Sequence, residues 1–495
     1  MANFSEFQLA IFKHIEESNN NLAINAVAGS GKTFTIVEAS KRLSKANPKL
    51  EILFLAFNKT IANELKERLF TCKNVTCSTL HAHGLSAIRE LKPNVDKFAD
   101  YNYKNQCLLQ SEVLSIDSEN QYVIPFKNNC SKLFNLARIN LIQSGDLNSL
   151  RELCDLHLIE TIADEIRVVS ESLKEAYSFR KNIDFTDMLI LPLGVKNRIK
   201  KYDIVFIDEC QDLSKAQREL MLASVKKGGK FIAVGDRKQA INGFCGASCD
   251  SFDLIANLPN TDELPLSVNY RCGKEIIKLA QTIVPQITAF SESIEGAVNE
   301  VTDLKSVQYG DMIICRKSAP LVGLCLKFIS NGKKAYVKGK DIGEGLINLI
   351  KKLKPKNLNY LFEKLEAEEE NLKRNAEKNP RYGEAKLIAF QDKIECLRVI
   401  SESVTSIKEL TNKIETMFVD DEKNSIALST IHKSKGLEAD NVYIVVPNKL
   451  PLTWKNQLDW QYEQEMNLKY VAITRAKKSL NIVNLDEDAL KKVEI

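Results

Sequence analysis

The sequence predicts an α/β chain whose parallel sheets are covered by helices on both faces. Short apolar runs at Ala23–Val27, Ile52–Phe57, Asp203–Ile207 and Lys230–Val234 alternate with amphipathic helical stretches. Parallel sheets need that alternation, because each crossover helix buries a sheet face. The first run is closed by Ala26-Val27-Ala28-Gly29-Ser30-Gly31-Lys32-Thr33, a glycine-rich turn leading into a helix-compatible segment. The third ends in adjacent carboxylates, Ile207-Asp208-Glu209-Cys210-Gln211-Asp212.

The first of these segments has the strand–loop–helix layout in which backbone N–H groups cradle phosphates at a helix N-terminus. Ala28, Gly29, Ser30 and Gly31 would form the cradle. Lys32 would reach the β- and γ-phosphates of ATP, and the Thr33 hydroxyl would bind Mg²⁺. Asp208 is placed to hold the same Mg²⁺, and Glu209 to polarise the attacking water. Ala26 stands where the usual pattern begins with glycine. An ordinary turn and a pair of surface acids explain the two segments poorly once both occur in this order.

Four more segments narrow the class of ATPase. Val234-Gly235-Asp236-Arg237-Lys238-Gln239-Ala240 closes the fourth run and supplies Gln239, a side chain suited to sensing a γ-phosphate. Leu266-Ser267-Val268-Asn269-Tyr270-Arg271 sets an aromatic ring beside an arginine. Thr430-Ile431-His432-Lys433-Ser434-Lys435-Gly436-Leu437-Glu438 follows a strand-like stretch, and Tyr470-Val471-Ala472-Ile473-Thr474-Arg475-Ala476 comes near the end. With these motifs in this order from Phe7 to Leu480, the chain resembles the UvrD/Rep-like (PcrA-like) branch of superfamily-1 DNA helicases. Gln239 is followed by Ala240-Ile241-Asn242-Gly243-Phe244, which is similar to the UvrD-type element rather than to that of the branch of opposite polarity.

The resemblance implies two RecA-like motor domains of the P-loop NTPase fold. The first would comprise residues 1–83 and 180–263, interrupted by a helical insertion at 84–179 lying over the DNA. The second would comprise 264–348 and 422–495, with strands near Met312–Cys315, Ala335–Val337, Ile426–Ser429 and Val442–Val446. A second insertion, 349–421, is rich in Lys, Glu and Leu with breakers at Pro355 and Pro380, and is far shorter than in full-sized relatives. ATP would sit in the cleft between the motor domains. Arg271 and Arg475 match the family's arginine fingers. Gln8 matches the residue that reads adenine, Tyr270 would stack on the base, and Glu438 would contact the ribose or a phosphate-linked group.

The DNA track is also implied by resemblance. Phe57-Asn58-Lys59 is similar to the first DNA motif with the ring displaced by one position, and Thr79-Leu80-His81 to the second. Phe244 takes the place of a base-stacking aromatic, while Asn242 stands where relatives usually have tyrosine. His432 and Lys435 would couple DNA to the ATP site. The basic run Lys351-Lys352-Leu353-Lys354-Pro355-Lys356 reads as a solvated surface.

Composition bounds the remainder. The 495 residues give a prior of roughly three domains. A net charge of +4, from 69 basic and 65 acidic residues, is too even to indicate nucleic-acid binding by itself, so a DNA path must be a local groove. No apolar run is long enough for a membrane span. The N-terminus lacks a secretory layout, and twelve scattered cysteines without a C-x-x-C pair point to reduced thiols in a cytoplasmic protein. The segment after Arg475 is expected to be too short for an attached nuclease or interaction module.

The expected activity is therefore ATP-dependent 3′→5′ translocation on single-stranded DNA and unwinding of tailed duplexes in DNA repair, recombination or replication, with polarity inherited from the family. Protein partners are unreadable. The competing reading is an ATP-switched, DNA-binding accessory subunit. The short second insertion and the altered aromatic track favour it, and intact Glu209, Arg271 and Arg475 oppose it.

Overall fold

The computed structural model describes residues 4–92, 108, 123–157, 159, 161, 163–177, 183–241, 250–420 and 422–495. The chain divides into two compact units, Met1–Ser267 and Val268–Ile495.

The first unit is built on a six-stranded parallel sheet. Its strands are Asn21–Ala26 (β1), Ile52–Ala56 (β2), Val75–Thr79 (β3), Tyr202–Ile207 (β4), Val225–Gly235 (β5) and Thr261–Leu266 (β6), in the order β3-β2-β4-β5-β1-β6. Side chains alternate between two cores, as the two-residue period of a strand dictates. Leu22, Ile24, Phe54 and Phe206 enter one face, and Ala23, Leu53, Leu55 and Val205 the other. Both faces are apolar, so the central strands read as continuous hydrophobic runs and were legible in the sequence.

β3 and β6 were not expected. β6 is half-exposed and contains Pro265, which a sheet edge tolerates because no ladder bond is needed on the outer side. β5 starts five residues before the expected Lys230. Its first stretch contains Gly228 and Gly229, which read as a turn, yet Val225 pairs with Tyr202 across a register shift.

Helices Val123–Ile139, Leu147–Leu156 and Ala163–Ala176 form a small core of their own around Leu133, Phe134, Leu150 and Val169. Arg138 ties this bundle to the sheet layer. Its guanidinium is 0% exposed and donates to Asp184 at 2.7 and 2.8 Å and to Asp187 at 2.7 Å. The same two carboxylates cap the helix Phe185–Ile190 reciprocally.

The second unit carries a seven-stranded parallel sheet and a two-stranded ribbon. The ribbon pairs Val268–Asn269 (β7) with Thr288–Ala289 (β8). The sheet holds Ala297–Val301 (β9), Met312–Cys315 (β10), Ala335–Lys338 (β11), Phe418–Val419 (β12), Ile426–Thr430 (β13), Ala439–Val445 (β14) and Ala476–Val483 (β15), ordered β12-β11-β13-β10-β14-β15-β9.

Several elements run through the boundaries expected from motif positions. Helix Leu80–Leu91 spans position 83, β6 spans 263 and helix Lys340–Leu353 spans 348. The segment 349–421 does not keep a core to itself. Leu361, Leu365, Leu397, Ile400, Leu410 and Ile414 share one apolar cluster with Ile313, Val337 and Leu428 of the sheet, and β12 joins the sheet edge. Motif positions carry no information about where a shared core ends, which is why these limits differ. Among the described residues no helix is long and apolar enough to cross a membrane.

Candidate functional site

Helix Lys32–Ala46 starts from a loop in which Gly29 and Gly31 hold φ of 65° and 76°. Only glycine takes that left-handed region without strain, and the resulting turn aims successive N–H groups into one concavity. The Ser30 hydroxyl donates to Val27 O at 2.8 Å and pins the loop to the strand end. Ala26 is the last residue of β1, in extended conformation, so glycine is not required there.

Lys32, Thr33, Asp208 and Glu209 come together at the strand ends. The Thr33 hydroxyl donates to Asp208 Oδ2 at 2.6 Å, and Lys32 Nζ lies 3.4 Å from Glu209 Oε1. Glu209 has φ 54°, a left-handed backbone that a glutamate adopts only when its surroundings demand it. Burial first, and then the adjoining Glu209 carboxylate, push the Asp208 carboxyl up to about 6. Burial likewise pushes Asp236 up to about 6, against the pull of Lys32. Three carboxylates thus face one lysine. That excess of hard oxygen donors, with the Thr33 hydroxyl against Asp208, suits Mg²⁺, which takes one or two protein oxygens and completes its shell with phosphate and water.

One residue that sequence reasoning did not single out, Gln211, completes this geometry. Gln211 Nε2 donates to Glu209 Oε2 at 2.5 Å, while its Oε1 accepts from Asp236 N at 3.1 Å. It therefore orients Glu209 and links the β4 loop to the β5 loop. The approach depends on Gly235, where an added Cβ would stand 2.5 Å from Gln211 Oε1. Its signal was present, since Gln211 lies inside the carboxylate motif itself. Gln239 donates to Asp236 Oδ2 at 2.8 Å, which places it at the end of β5 beside this cluster.

Gln8 sits in the capping box of helix Glu6–Glu17, accepting from Ser5 N at 3.0 Å. Its Nε2 donates to Thr35 Oγ1 at 3.0 Å, and Thr35 in turn donates to Gly31 O at 3.0 Å. Gln8 is thereby tied to the glycine loop.

Ala56 pairs with Thr79, so the Phe57-Asn58-Lys59 and Thr79-Leu80-His81 segments leave neighbouring strands at the same end of the sheet. Phe57 is 43% exposed and Lys59 is exposed. Asn58 and Thr79 spend their side chains as helix caps, accepting from Ile61 N at 2.9 Å and Ala82 N at 3.2 Å. His81 meets the exposed ring of Phe185 edge-on, with centroids 5.9 Å apart. Phe185 was missed because its signal is only an apolar residue after Asp184, ambiguous between core and surface. Phe244, the remaining aromatic expected on this track, lies outside the described residues, as does Asn242.

In the second unit, Asn269 is fully buried and its Oδ1 accepts from Arg271 N at 2.9 Å and Cys272 N at 2.7 Å, which shapes the turn after β7. Tyr270 projects beside Phe290, centroids 5.0 Å apart. Arg271 Nε lies 2.6 Å from Glu438 Oε2, and Lys477 lies 2.7 Å from Glu438 Oε1. Burial raises the Glu438 carboxyl, but Lys477 and Arg271 outweigh it and hold it below the usual range. Arg475 is 1% exposed, donating to Val471 O at 2.9 Å, Leu437 O at 3.0 Å and Thr474 Oγ1 at 3.2 Å. Burial, together with Arg316 and Lys433, drives the His432 imidazole down to about 3. Lys435 is half-buried two residues after Lys433, whose ammonium pairs with Asp341 at 2.6 Å.

Nine cysteines are described, none of them in a disulfide. Cys210 packs in the sheet core, and burial pushes its thiol well above the ordinary range.

Comparison with known proteins places this geometry in a family. Residues 6–259 match the UvrD/REP helicase N-terminal domain, and residues 348–487 the UvrD-like helicase C-terminal domain. The F-box DNA helicase protein 1 of Schizosaccharomyces pombe is 27% identical over 93% of this chain and 55% of its own length. The F-box DNA helicase 1 of Gallus gallus is 26% identical over 96% of this chain and 48% of its own. A probable DNA helicase II homolog of Mycoplasma genitalium is 23% identical over 92% of this chain and 81% of its own. The chain spans about half the length of the first two relatives. With the first family model covering half of the chain and the glycine loop and carboxylate pair assembled at its strand ends, the chain belongs to the UvrD/REP helicase family.

Proposed function

We propose that the chain is a DNA-dependent ATPase that moves 3′→5′ along single-stranded DNA and unwinds tailed duplexes. The observation that carries this reading is the assembly of Lys32, Thr33, Asp208 and Glu209 within hydrogen-bonding or ion-pair distance of one another at the strand ends. Phosphoryl transfer is chiefly positioning and charge neutralisation, and this cluster supplies both. The loop amides and Lys32 hold the phosphates of ATP. Thr33 and Asp208 would hold Mg²⁺, whose charge would offset that of the phosphates. Glu209, aimed by Gln211, orients the attacking water and takes its proton, and Gln239 senses the γ-phosphate. Gln8 reads the base, Tyr270 stacks on it, and Glu438 meets the ribose. Arg271 and Arg475 neutralise charge in the transition state, which requires Arg271 to exchange Glu438 for phosphate. Phe57, Lys59, His81 and Phe185 present aromatic and cationic groups of the kind that hold single strands by stacking and phosphate contact.

The polarity and the tailed-duplex substrate rest on the family resemblance alone, while the names of the relatives reported above support a DNA helicase. The test is steady-state ATP hydrolysis by the purified chain alone and with single-stranded DNA, duplex DNA or single-stranded RNA. Strong stimulation by single-stranded DNA, followed by displacement on 3′-tailed but not 5′-tailed duplexes, is the expected result. ATP binding without hydrolysis under every condition would replace the motor with a nucleotide-controlled switch.

A further inference from the structure

Helix Ala319–Ser330 buries Leu321, Val322, Cys325 and Phe328 in the core of the second unit, and its opposite face borders a groove. The groove holds about 780 Å³ and is closed by the end of helix Pro380–Ser401, helix Ile407–Met417 and helix Glu487–Lys491. Pro320, Gly323, Leu326 and Ile329 line it from the first helix, with Val399 and Leu490 from its neighbours. Ile329 is 46% exposed there. The volume falls within the range of binding clefts, and charged side chains stand only at the rim of an apolar floor.

Glycine inside a helix costs roughly 1 kcal/mol against alanine. At Gly343 packing demands it, since an added Cβ would stand 2.7 Å from Phe418 Cβ. At Gly323 the nearest atom to such a Cβ is Val399 Cγ1 at 3.8 Å, an ordinary contact, so the fold has room for a side chain. Glycine there serves only to keep the groove open. The rim charges divide in the same way. Lys491 lies 3.6 Å from Glu395, and Glu487 lies 3.0 Å from Lys317. Lys413 instead donates to the Ser403 hydroxyl at 2.7 Å, and Glu402 is exposed beside it in the chain. Among the described residues neither has an opposite charge within ion-pair distance.

We propose that this groove receives an amphipathic helix of a partner protein. Apolar residues at helical spacing would lie over Gly323, Val399 and Ile329, with an acid facing Lys413 and a base facing Glu402. The walls decide between a helix and an extended segment. They are helices, so no strand edge offers ladder bonds to an extended chain, whereas a helix satisfies its own backbone. The two unmatched charges decide against a wholly apolar occupant, which would desolvate them without compensation. Arg271, Arg475 and Glu438 do not line the groove, so the partner joins the chain without using the nucleotide site.

The experiment pans the full chain against a phage library of random peptides of about 16 residues, roughly four helical turns. Enriched peptides are synthesised with a fluorescent label and titrated by anisotropy against wild type, Gly323→Leu, Gly323→Ala and Lys413→Glu. Peptides with apolar residues at helical spacing and a flanking acid should emerge. Gly323→Leu fills the groove and should weaken their binding at least about tenfold. Its thermal midpoint should equal or exceed that of wild type, because leucine replaces glycine within a helix. Gly323→Ala should give a smaller loss at the same place. Lys413→Glu should weaken acid-bearing peptides by about two- to fivefold, and a lysine in place of the peptide's acid should restore binding. No enrichment, or equal affinity of the enriched peptides for wild type and Gly323→Leu, overturns the proposal. Affinity indifferent to the charge at position 413 overturns it as well. Hydrolysis enters none of these readouts, so failure of the motor reading leaves them unaffected.

Discussion

The first unit gathers carboxylates at the ends of its strands, whereas the second gathers guanidiniums around its own. Both units are parallel sheets, yet Asp208, Glu209 and Asp236 face a single lysine in one, while Arg271 and Arg475 belong to the other. The two groups are also held differently. The carboxylates sit in an excess of negative charge that a bound cation would relieve. Arg271 is charge-matched by Glu438, and Arg475 is anchored by backbone carbonyls. Parallel strands thus present carboxylates in one unit and guanidiniums in the other, according to the residues that flank them.

The largest test of this contrast is Arg271→Ala. The proposed finger role of Arg271 predicts a turnover lower by about 10³–10⁵. Because Glu438 keeps Lys477 at 2.7 Å, the thermal midpoint should stay within about 2 °C of wild type by the usual size scaling. Wild-type turnover in steady-state assays would make the second unit a passive partner.

Glu209→Gln comes next, with an expected loss of about 10²–10⁴ in kcat and retained nucleotide binding, read by fluorescent-analogue titration and single-turnover hydrolysis. Undiminished hydrolysis would move the base to another group.

The third comparison concerns stability. Arg138→Met leaves Asp184 and Asp187 buried without their cation and should cost about 3–5 kcal/mol in urea unfolding. Arg316→Met in the second unit removes a similar bidentate partner of Glu465, but Arg316 is less buried than Arg138. A smaller loss is expected there, and equal losses would remove the distinction.

Phe57→Ala and Phe185→Ala should each weaken single-strand binding by about 1–3 kcal/mol, roughly 5- to 150-fold, measured as the DNA concentration for half-maximal ATPase. No change for Phe185 would return it to plain packing.

The smallest effect is in pH. Burial, then the Lys200 charge, depress the His83 imidazole from 6.5 to about 4. The unfolded chain therefore takes up a proton that the folded chain refuses. Stability from this group is complete above about pH 6.5 and falls as pH drops towards 4. His83→Asn should flatten that decline in melting experiments between those limits.

Legibility followed the way each feature is encoded. Central strands such as β2 and β4 showed in the sequence because both faces are buried and, apart from Asp203 near the start of β4, their residues are apolar or aromatic. Edge strands did not: β6 is half-exposed and contains a proline, and β3 is half-polar. The phosphate loop and the carboxylate pair were identified from their motifs, and both arginines through the family resemblance. The bonds of Gln211 to Glu209 and Asp236, and the pairing of His81 with Phe185, were not. Those partners are separated in sequence or ambiguous in type.

By itself, then, the sequence determined the α/β class, the glycine loop and the order of the chemical groups, since local backbone demands and short-range spacing encode them. Only the tertiary structure decided that residues 349–421 share the second sheet's core, that Asn58 and Thr79 serve as helix caps, and that Arg138 joins the helical bundle to Asp184 and Asp187. These depend on which distant surfaces bury one another, and burial between remote segments leaves no periodic signature in the chain.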